Sequence, residues 1–338
     1  CDDTYIDGTS KPKDVPHGSY SHAEKIRAMA HYGFKKILRT GEVPWHQIEG
    51  SNGPTGHWVG NPAISEIVST YMVSLHRRKV QQGETPQSSR AIRPEDLLKL
   101  WQENTKPNNF QPGFLPNGPG SWGGGITRCA LHAIYTIAFC CLLRFDEVLK
   151  IQAHNIAYLD ATTISITLPF CKTSQYGQIE PFVLKEMPST MAHLCPVRAL
   201  AEWLAEACIK TGYLFWKIGA HDRVITTNEP MVCPALQTSD AFLDFFRHNL
   251  LDIGLDPYVY STHSFHHGGC QWLSVHLWWG LRQICEWGGW SAEFTHLTIV
   301  KYLISWNDTP MLHRDQFFDF SRPPTVKCHS CGQSCHCA

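Results

Sequence analysis

Residues 129–147 read Cys-Ala-Leu-His-Ala-Ile-Tyr-Thr-Ile-Ala-Phe-Cys-Cys-Leu-Leu-Arg-Phe-Asp-Glu. From Cys129 to Leu143 there is no formal charge, with His132 the main interruption; then Arg144, Asp146 and Glu147 arrive together. A stretch that is apolar on every face belongs inside a large helical domain. It falls short of the ~20 residues that a bilayer core requires, and it stops at a cation. The pattern therefore predicts a buried helical region over Ile126–Ile151, bent near Arg144, with the rest of the chain arranged around it and no membrane span.

Downstream and upstream of that stretch the pattern stays helical. Pro94-Glu95-Asp96 opens a helix through Trp101, with proline at the first position and acids in the first turn. Further helices are expected over Cys195–Ala207, Ser239–Asp252, once or twice within His263–Trp287, and over the apolar run Thr295–Trp306. Thr163–Phe170 and Ile179–Leu184 are strand-like, joined by a turn containing Gly177. Lys106–Gly125 is a loop rich in Pro, Gly and Asn. Within it Gly118-Pro-Gly-Ser-Trp-Gly123 matches GxGxxG, but no strand precedes it, which argues against a dinucleotide site. The expected class is mainly α with a small antiparallel β-sheet.

The first twenty residues are a polar lead-in without the apolar core of a signal peptide. A helical module is expected over 21–85. Its first helix places Ala23, Ile26, Ala30, Phe34, Ile37 and Leu38 on one face. Its second, opened by Pro62, turns Ile64, Ile67, Val68, Tyr71, Met72 and Leu75 inward and ends in Arg77-Arg78-Lys79. Ser21–Glu84 holds eight Lys/Arg against five Asp/Glu. A larger domain over 86–320 follows, and a Cys/His-rich tail occupies 321–338.

The whole chain of 338 residues has 29 Lys+Arg, 30 Asp+Glu and 19 His, a formal charge of −1. That length suits about two domains, and 43% hydrophobic with 17% charged residues excludes a largely disordered chain. With no excess of positive charge, any affinity for nucleic acid has to come from local arrangement. The 14 cysteines are irregularly spaced. Those such as Cys140 and Cys141 lie in apolar segments, where thiols act as small hydrophobes, and a reducing, intracellular setting is expected. In the tail, Cys328, Cys331, Cys335 and Cys337 could supply four ligands to a structural zinc.

The residues suited to chemistry are dispersed: Arg144 and Glu147, Lys172 between the two strand-like runs, His263-Ser-Phe-His266-His267-Gly-Gly, Trp290 in Trp287-Gly-Gly-Trp290, and Tyr302. Singly, each has an ordinary structural reading: an ion pair, a turn lysine, packed aromatic rings. The histidines lack the carboxylate of a His-Glu-x-x-His zinc helix. In this order, and with the Cys195-Pro-Val-Arg-Ala-Leu helix start, the set resembles the tyrosine recombinases, the DNA breaking–rejoining enzymes, over Ser21–Trp306. Thr262-His-Ser-Phe265 and Gly288-Gly-Trp-Ser291 are similar to the eukaryotic mobile-element, Crypton-like branch.

The resemblance implies a two-domain clamp on double-stranded DNA, acting as a homo-oligomer in the nucleus. Tyr302 would attack a phosphodiester to form a phosphotyrosyl link, with no metal or nucleotide cofactor in catalysis. Arg144, His263 and His266 would hold the phosphate, Lys172 would protonate the leaving 5′ oxygen, and Trp290 would donate its indole N–H. Glu147 and His267 would support them, and Arg77, Arg78 and Lys79 would touch DNA phosphates. Two features depart from the family. His266 stands where the family carries arginine, a permanent charge with a planar fork, and Tyr302 follows Trp290 by twelve residues, longer than usual there. The first predicts impaired catalysis; the alternative is a DNA-binding scaffold that has lost it.

Overall fold

The structure is a computed structural model, and it describes residues 5, 9–12, 18–48, 56–84, 89–110, 122–169, 180–225 and 240–290. The chain divides into two compact units at Pro86/Gln87.

In the first unit α1 (Tyr20–Tyr32) runs on into a π turn (Gly33–Ile37). A two-stranded antiparallel ribbon follows, β1 (His46–Gln47) with β2 (Trp58–Val59), and then α2 (Glu66–Gln81). Pro62 opens a 3₁₀ turn rather than α2. That helix starts after Ser65, whose Oγ accepts the Val68 N–H at 3.3 Å, the usual work of a serine N-cap. The core here is a narrow seam of Ala23, Met72 and Leu75, flanked by Tyr20 and Val68. Arg27 stitches the two ends, donating from Nε to the Ala63 carbonyl and from Nη2 to Ser69 Oγ, both at 2.8 Å.

The seam is too narrow to cover the apolar faces expected from periodicity. Ile26, Ala30, Ile37, Leu38, Ile67 and Tyr71 are exposed. A second correction concerns Lys79. Met72, Leu75 and Lys79 fall at i, i+3 and i+7, so the helical period carries the lysine onto the packed face, where it is buried.

In the second unit α3 (Pro94–Asn104), α4 (Gly125–Cys140) and a one-turn helix α5 (Phe145–Val148) lead into a three-stranded antiparallel meander. Its strands are β3 (Ile156–Tyr158), β4 (Thr163–Ile166) and β5 (Phe182–Lys185), with Ile166 opposite Phe182 and Thr163 opposite Lys185. Then come α6 (Pro196–Ala207), the ribbon β6 (Ile218–Gly219) with β7 (Arg223–Val224), α7 (Asp240–Asp252), α8 (Ser264–Val275) and α9 (Leu281–Trp287). The architecture is mainly α with small antiparallel sheets. Among the described residues no helix is long and apolar enough to cross a membrane.

The stretch quoted at the outset forms the centre. Every residue of α4 from Ala130 to Cys140 is buried, against α3, α6 and α8. Its first-turn N–H groups, which have no partner within the helix, are met from outside: Asp222 accepts from Ile126 N at 2.8 Å and Thr127 N at 2.9 Å.

The expected helical region over 126–151 is not one bent helix. It stops at Cys140 because Leu142 adopts φ +54°, and Leu143 N then reaches back to the Ala138 carbonyl at 2.9 Å. That is a Schellman closure with leucine where glycine is usual, at a cost of about 1–2 kcal/mol. Partners outside the helix hold it. Trp287 Nε1 donates to the Cys140 carbonyl at 2.8 Å. A Cβ at Gly269 would lie 2.1 Å from the Phe139 carbonyl oxygen and 2.7 Å from a Leu142 methyl, so α8 meets the end of α4 backbone against side chain.

Candidate functional site

The turn that ends α4 delivers Arg144 to the N-cap of α5. Glu147 accepts the Arg144 backbone N–H at 3.0 Å, as a capping carboxylate does. This contact fixes the main chain that carries the Arg144 guanidinium.

The histidine box opens α8. His263 is the N-cap, and His266 and His267 are buried in the first turns. Gly268 has a packing reason, since its Cβ would fall 2.0 Å from the Ile92 carbonyl oxygen. The segment 89–92 runs alongside, with Ile92 N donating to the Ser264 carbonyl at 3.0 Å. His267 Nδ1 lies 3.2 Å from the Ser89 carbonyl oxygen. A carbonyl only accepts, so Nδ1 carries the hydrogen and Nε2 is the acceptor of the neutral ring. Ser261 joins the cluster: its hydroxyl pairs with that of Ser89 and accepts the His263 N–H at 3.2 Å. Ser89 and Ser261 went unnoticed in the sequence. They lie 172 positions apart, and nothing local marks either.

Trp290 reaches the box through the end of α9. Trp290 N returns to the Cys285 carbonyl at 2.9 Å and Gly289 N to that of Glu286 at 3.2 Å, with Gly289 at φ +64°. This too is a Schellman closure, and it needs glycine at the left-handed position. A Cβ on Gly288 would strike the Trp290 ring at 2.8 Å. The indole thus placed stacks on His266, with centroids 4.9 Å apart and planes within 12°.

Burial pushes the His266 imidazole down to about 3. The charges of His267, His263 and Arg144 act in the same direction, and a backbone hydrogen bond with Leu142 works against them. Arg144, His263, His266, His267 and Trp290 therefore come together from three separate stretches of chain. The His266 ring is buried and lies beneath the Trp290 indole. Lys172, Tyr302 and Cys328, Cys331, Cys335 and Cys337 lie outside the described residues. Among the described residues no group of three or more His, Cys, Asp or Glu side chains could hold a metal ion.

On α2 the expected basic run is split. Arg77 is exposed, Arg78 lies over the Tyr71 ring at 5.8 Å, and Lys79 is buried.

His132, buried in α4, is also held down to about 3, by burial first and then by the charge of His193. For both imidazoles the folded pKa lies below the unfolded value near 6.5. As pH falls through 6.5 the unfolded chain takes up protons that the folded chain refuses, and stability is lost progressively toward pH 3. The expected slope is up to about 1.4 kcal/mol per pH unit for each ring. Urea unfolding at pH 7.5, 6 and 5 should show a shallower dependence in His132→Gln than in the native chain; parallel curves would contradict the assignment.

No family model matches the chain, and neither does any curated protein sequence. Solved structures do match it. One is a crystal structure described as XerH site-specific recombinase bound to palindromic difH substrate in a post-cleavage complex. Identity is 15%, the alignment covers 64% of this chain and 49% of that chain, and the TM-score is 0.42. The chain thus spans about half the length of that recombinase, a likeness too distant to assign a role to any residue.

Proposed function

We propose that this chain is a DNA-binding protein of tyrosine-recombinase type, which breaks and rejoins strands through a phosphotyrosyl intermediate. One observation carries the proposal: Arg144, the box His263–His267 and Trp290, far apart in sequence, gather at the junction of α4, α8 and α9. In this scheme the Tyr302 oxygen attacks phosphorus, the bond to the 5′ oxygen breaks, and Lys172 protonates that oxygen. The Tyr302 proton passes to an imidazole of the box. The new phosphotyrosine conserves the bond energy, so religation needs no nucleotide. Arg144 supplies the permanent charge opposite the non-bridging oxygens, and His267, whose tautomer Ser89 fixes, adds a donor when protonated. The helical module over 21–85 contributes phosphate contacts, Arg77 among them, and a homo-oligomer forms on DNA. We place the origin of the chain in a eukaryotic, Crypton-like mobile element and its action in the nucleus.

A second reading, a DNA-binding scaffold without chemistry, is favoured by the burial of His266, which leaves a permanent cation missing from the box. Both readings require binding to duplex DNA that weakens steeply with salt. Titrating a labelled duplex between 50 and 200 mM salt tests this. Arg77→Ala should reduce the log–log slope by about 1, whereas Lys79→Ala should lower stability and leave the slope unchanged. A flat salt dependence in the native chain would remove both readings.

A further inference from the structure

The segment 89–93 is pinned by its main chain to both flanks of the histidine box. The Arg90 N–H donates to the Val259 carbonyl at 2.8 Å, on the side that leads into the box, and the Ile92 N–H donates to the Ser264 carbonyl at 3.0 Å, within it. Between them the Ser89 carbonyl lies 3.2 Å from His267 Nδ1. Ala91 and Ile92 are buried, and the charged residues on either side of them, Arg90 and Arg93, stand at the rim of the box. Both guanidiniums are held. Arg93 donates from Nε and Nη2 to the two carboxylate oxygens of Asp96, each at 2.9 Å. That carboxylate is 0% exposed, whereas the arginine side chain is 55% exposed. The Arg90 guanidinium lies 5.9 Å over the ring of Tyr260, which is buried.

We infer that Arg90 and Arg93 bind backbone phosphates of duplex DNA that border the one held at the histidine box. The inference rests on the function proposed above and adds two DNA contacts to it. The Arg93–Asp96 pair turns its positive end outward, because the anion is sealed inside and the cation is not. Asp96 engages only the Nε–Nη2 edge of Arg93, so the Nη1 side of the planar fork is left for a phosphate oxygen. A guanidinium already fixed by a carboxylate or a ring loses less side-chain freedom on binding than a loose one. Asp96 is thus a positioning residue for Arg93. The two arginines bring permanent charge to the edge of a box whose own side chains are imidazoles, and they come from a stretch of chain that precedes it by more than 150 residues.

Titration of a labelled duplex with the full chain between about 50 and 200 mM salt tests the two contacts. Arg90→Gln and Arg93→Gln should each reduce the log–log slope by about 1, and the two changes together by about 2. Each should weaken binding at the lower salt by about tenfold. Arg93→Gln also strands the buried Asp96 carboxylate, so a loss of stability is expected with it. The double variant Arg93→Gln/Asp96→Asn removes that stranded charge: it should regain stability and keep the reduced slope, which a purely structural ion pair would not do. At saturating DNA the covalent adduct should form within about twofold of the native rate, unlike the loss expected at Arg144. Native slopes in both single variants would make the Arg93–Asp96 pair no more than a cap of α3 and overturn the inference, leaving the proposed function in place. An unchanged Kd with a slowed reaction would also overturn it. A native chain that binds no duplex, or binds with a flat salt dependence, would overturn both.

Discussion

Replacing Arg128 with methionine should cost about 1–3 kcal/mol of folding stability, the cost of leaving buried hydrogen-bond partners unmet. Arg128 is buried in α4 and donates in three directions: Nη1 to Asp252 Oδ2 at 2.8 Å and to Asn104 Oδ1 at 3.0 Å, and Nε to the Gly123 carbonyl at 3.0 Å. Trp122 lies beneath the guanidinium at 4.4 Å and donates its own N–H to Asp252. Asn104 and Asn249 exchange a reciprocal pair of amide hydrogen bonds at 2.8 and 3.0 Å, and the Tyr135 hydroxyl donates to Asn249 at 3.2 Å. One network therefore ties α3, α4 and α7 together.

Its energetics lie less in the worth of each bond than in what is stranded when one partner goes. The Asn104 amide and the Gly123 carbonyl are buried and bear a desolvation cost when the guanidinium goes, whereas Asp252 is exposed and returns to water. The double variant Arg128→Met/Asp252→Leu should consequently cost less than the sum of the two single changes. The ion pair Arg198–Glu186, at 2.7 Å but about a third exposed on each side, should be worth no more than about 1 kcal/mol. Guanidinium unfolding of the four proteins checks this. A loss below about 1 kcal/mol in Arg128→Met would contradict the network's role.

Arg144→Ala should slow formation of a covalent protein–DNA adduct by about 10²–10³-fold. The transition state of phosphoryl transfer spreads negative charge over oxygens that a fixed cation must already face. Under the proposed function the permanent charge at the phosphate is that of Arg144, since burial holds the His266 imidazole down to about 3. Arg144→Lys should recover only part of the rate, because an ammonium keeps the charge and loses the planar fork. Single-turnover rates at saturating DNA separate this loss from weaker binding. An alanine variant as fast as the native chain would mean that Arg144 takes no part in the chemistry.

The helical frame is readable in the sequence wherever local rules decide it. Pro196 at the first position of α6 and the acids of α3 mark their starts, and α7 lies within a residue of where its pattern places it. Failures occur where distant contacts decide. The end of α4 depends on Trp287 and Gly269, neither of them within a hundred residues of Leu142, so an unbroken apolar run concealed a reversal. β3 has three residues on the open edge of its sheet, too few for alternation to register. In the first unit the apolar pattern overstates the core, because two short helices bury only the seam between them.

The candidate site divides along the same line. The residue types and their order suggested Arg144, the histidines and Trp290. Their order could not show that His266 lies under Trp290, nor that its charge is suppressed, because both follow from the turn at Gly288-Gly289 and from burial against α4.

The central claim is strand breakage through a phosphotyrosyl link, and trapping the adduct on a nicked suicide duplex tests it most directly. On such a substrate the cleaved fragment diffuses away and rejoining is blocked, so the covalent species accumulates. The expected result is an adduct that survives denaturation, maps to Tyr302, and is absent in Tyr302→Phe while duplex binding persists. DNA binding with no adduct on any nicked duplex, in the native chain and in His266→Arg alike, would contradict strand breakage and leave the scaffold.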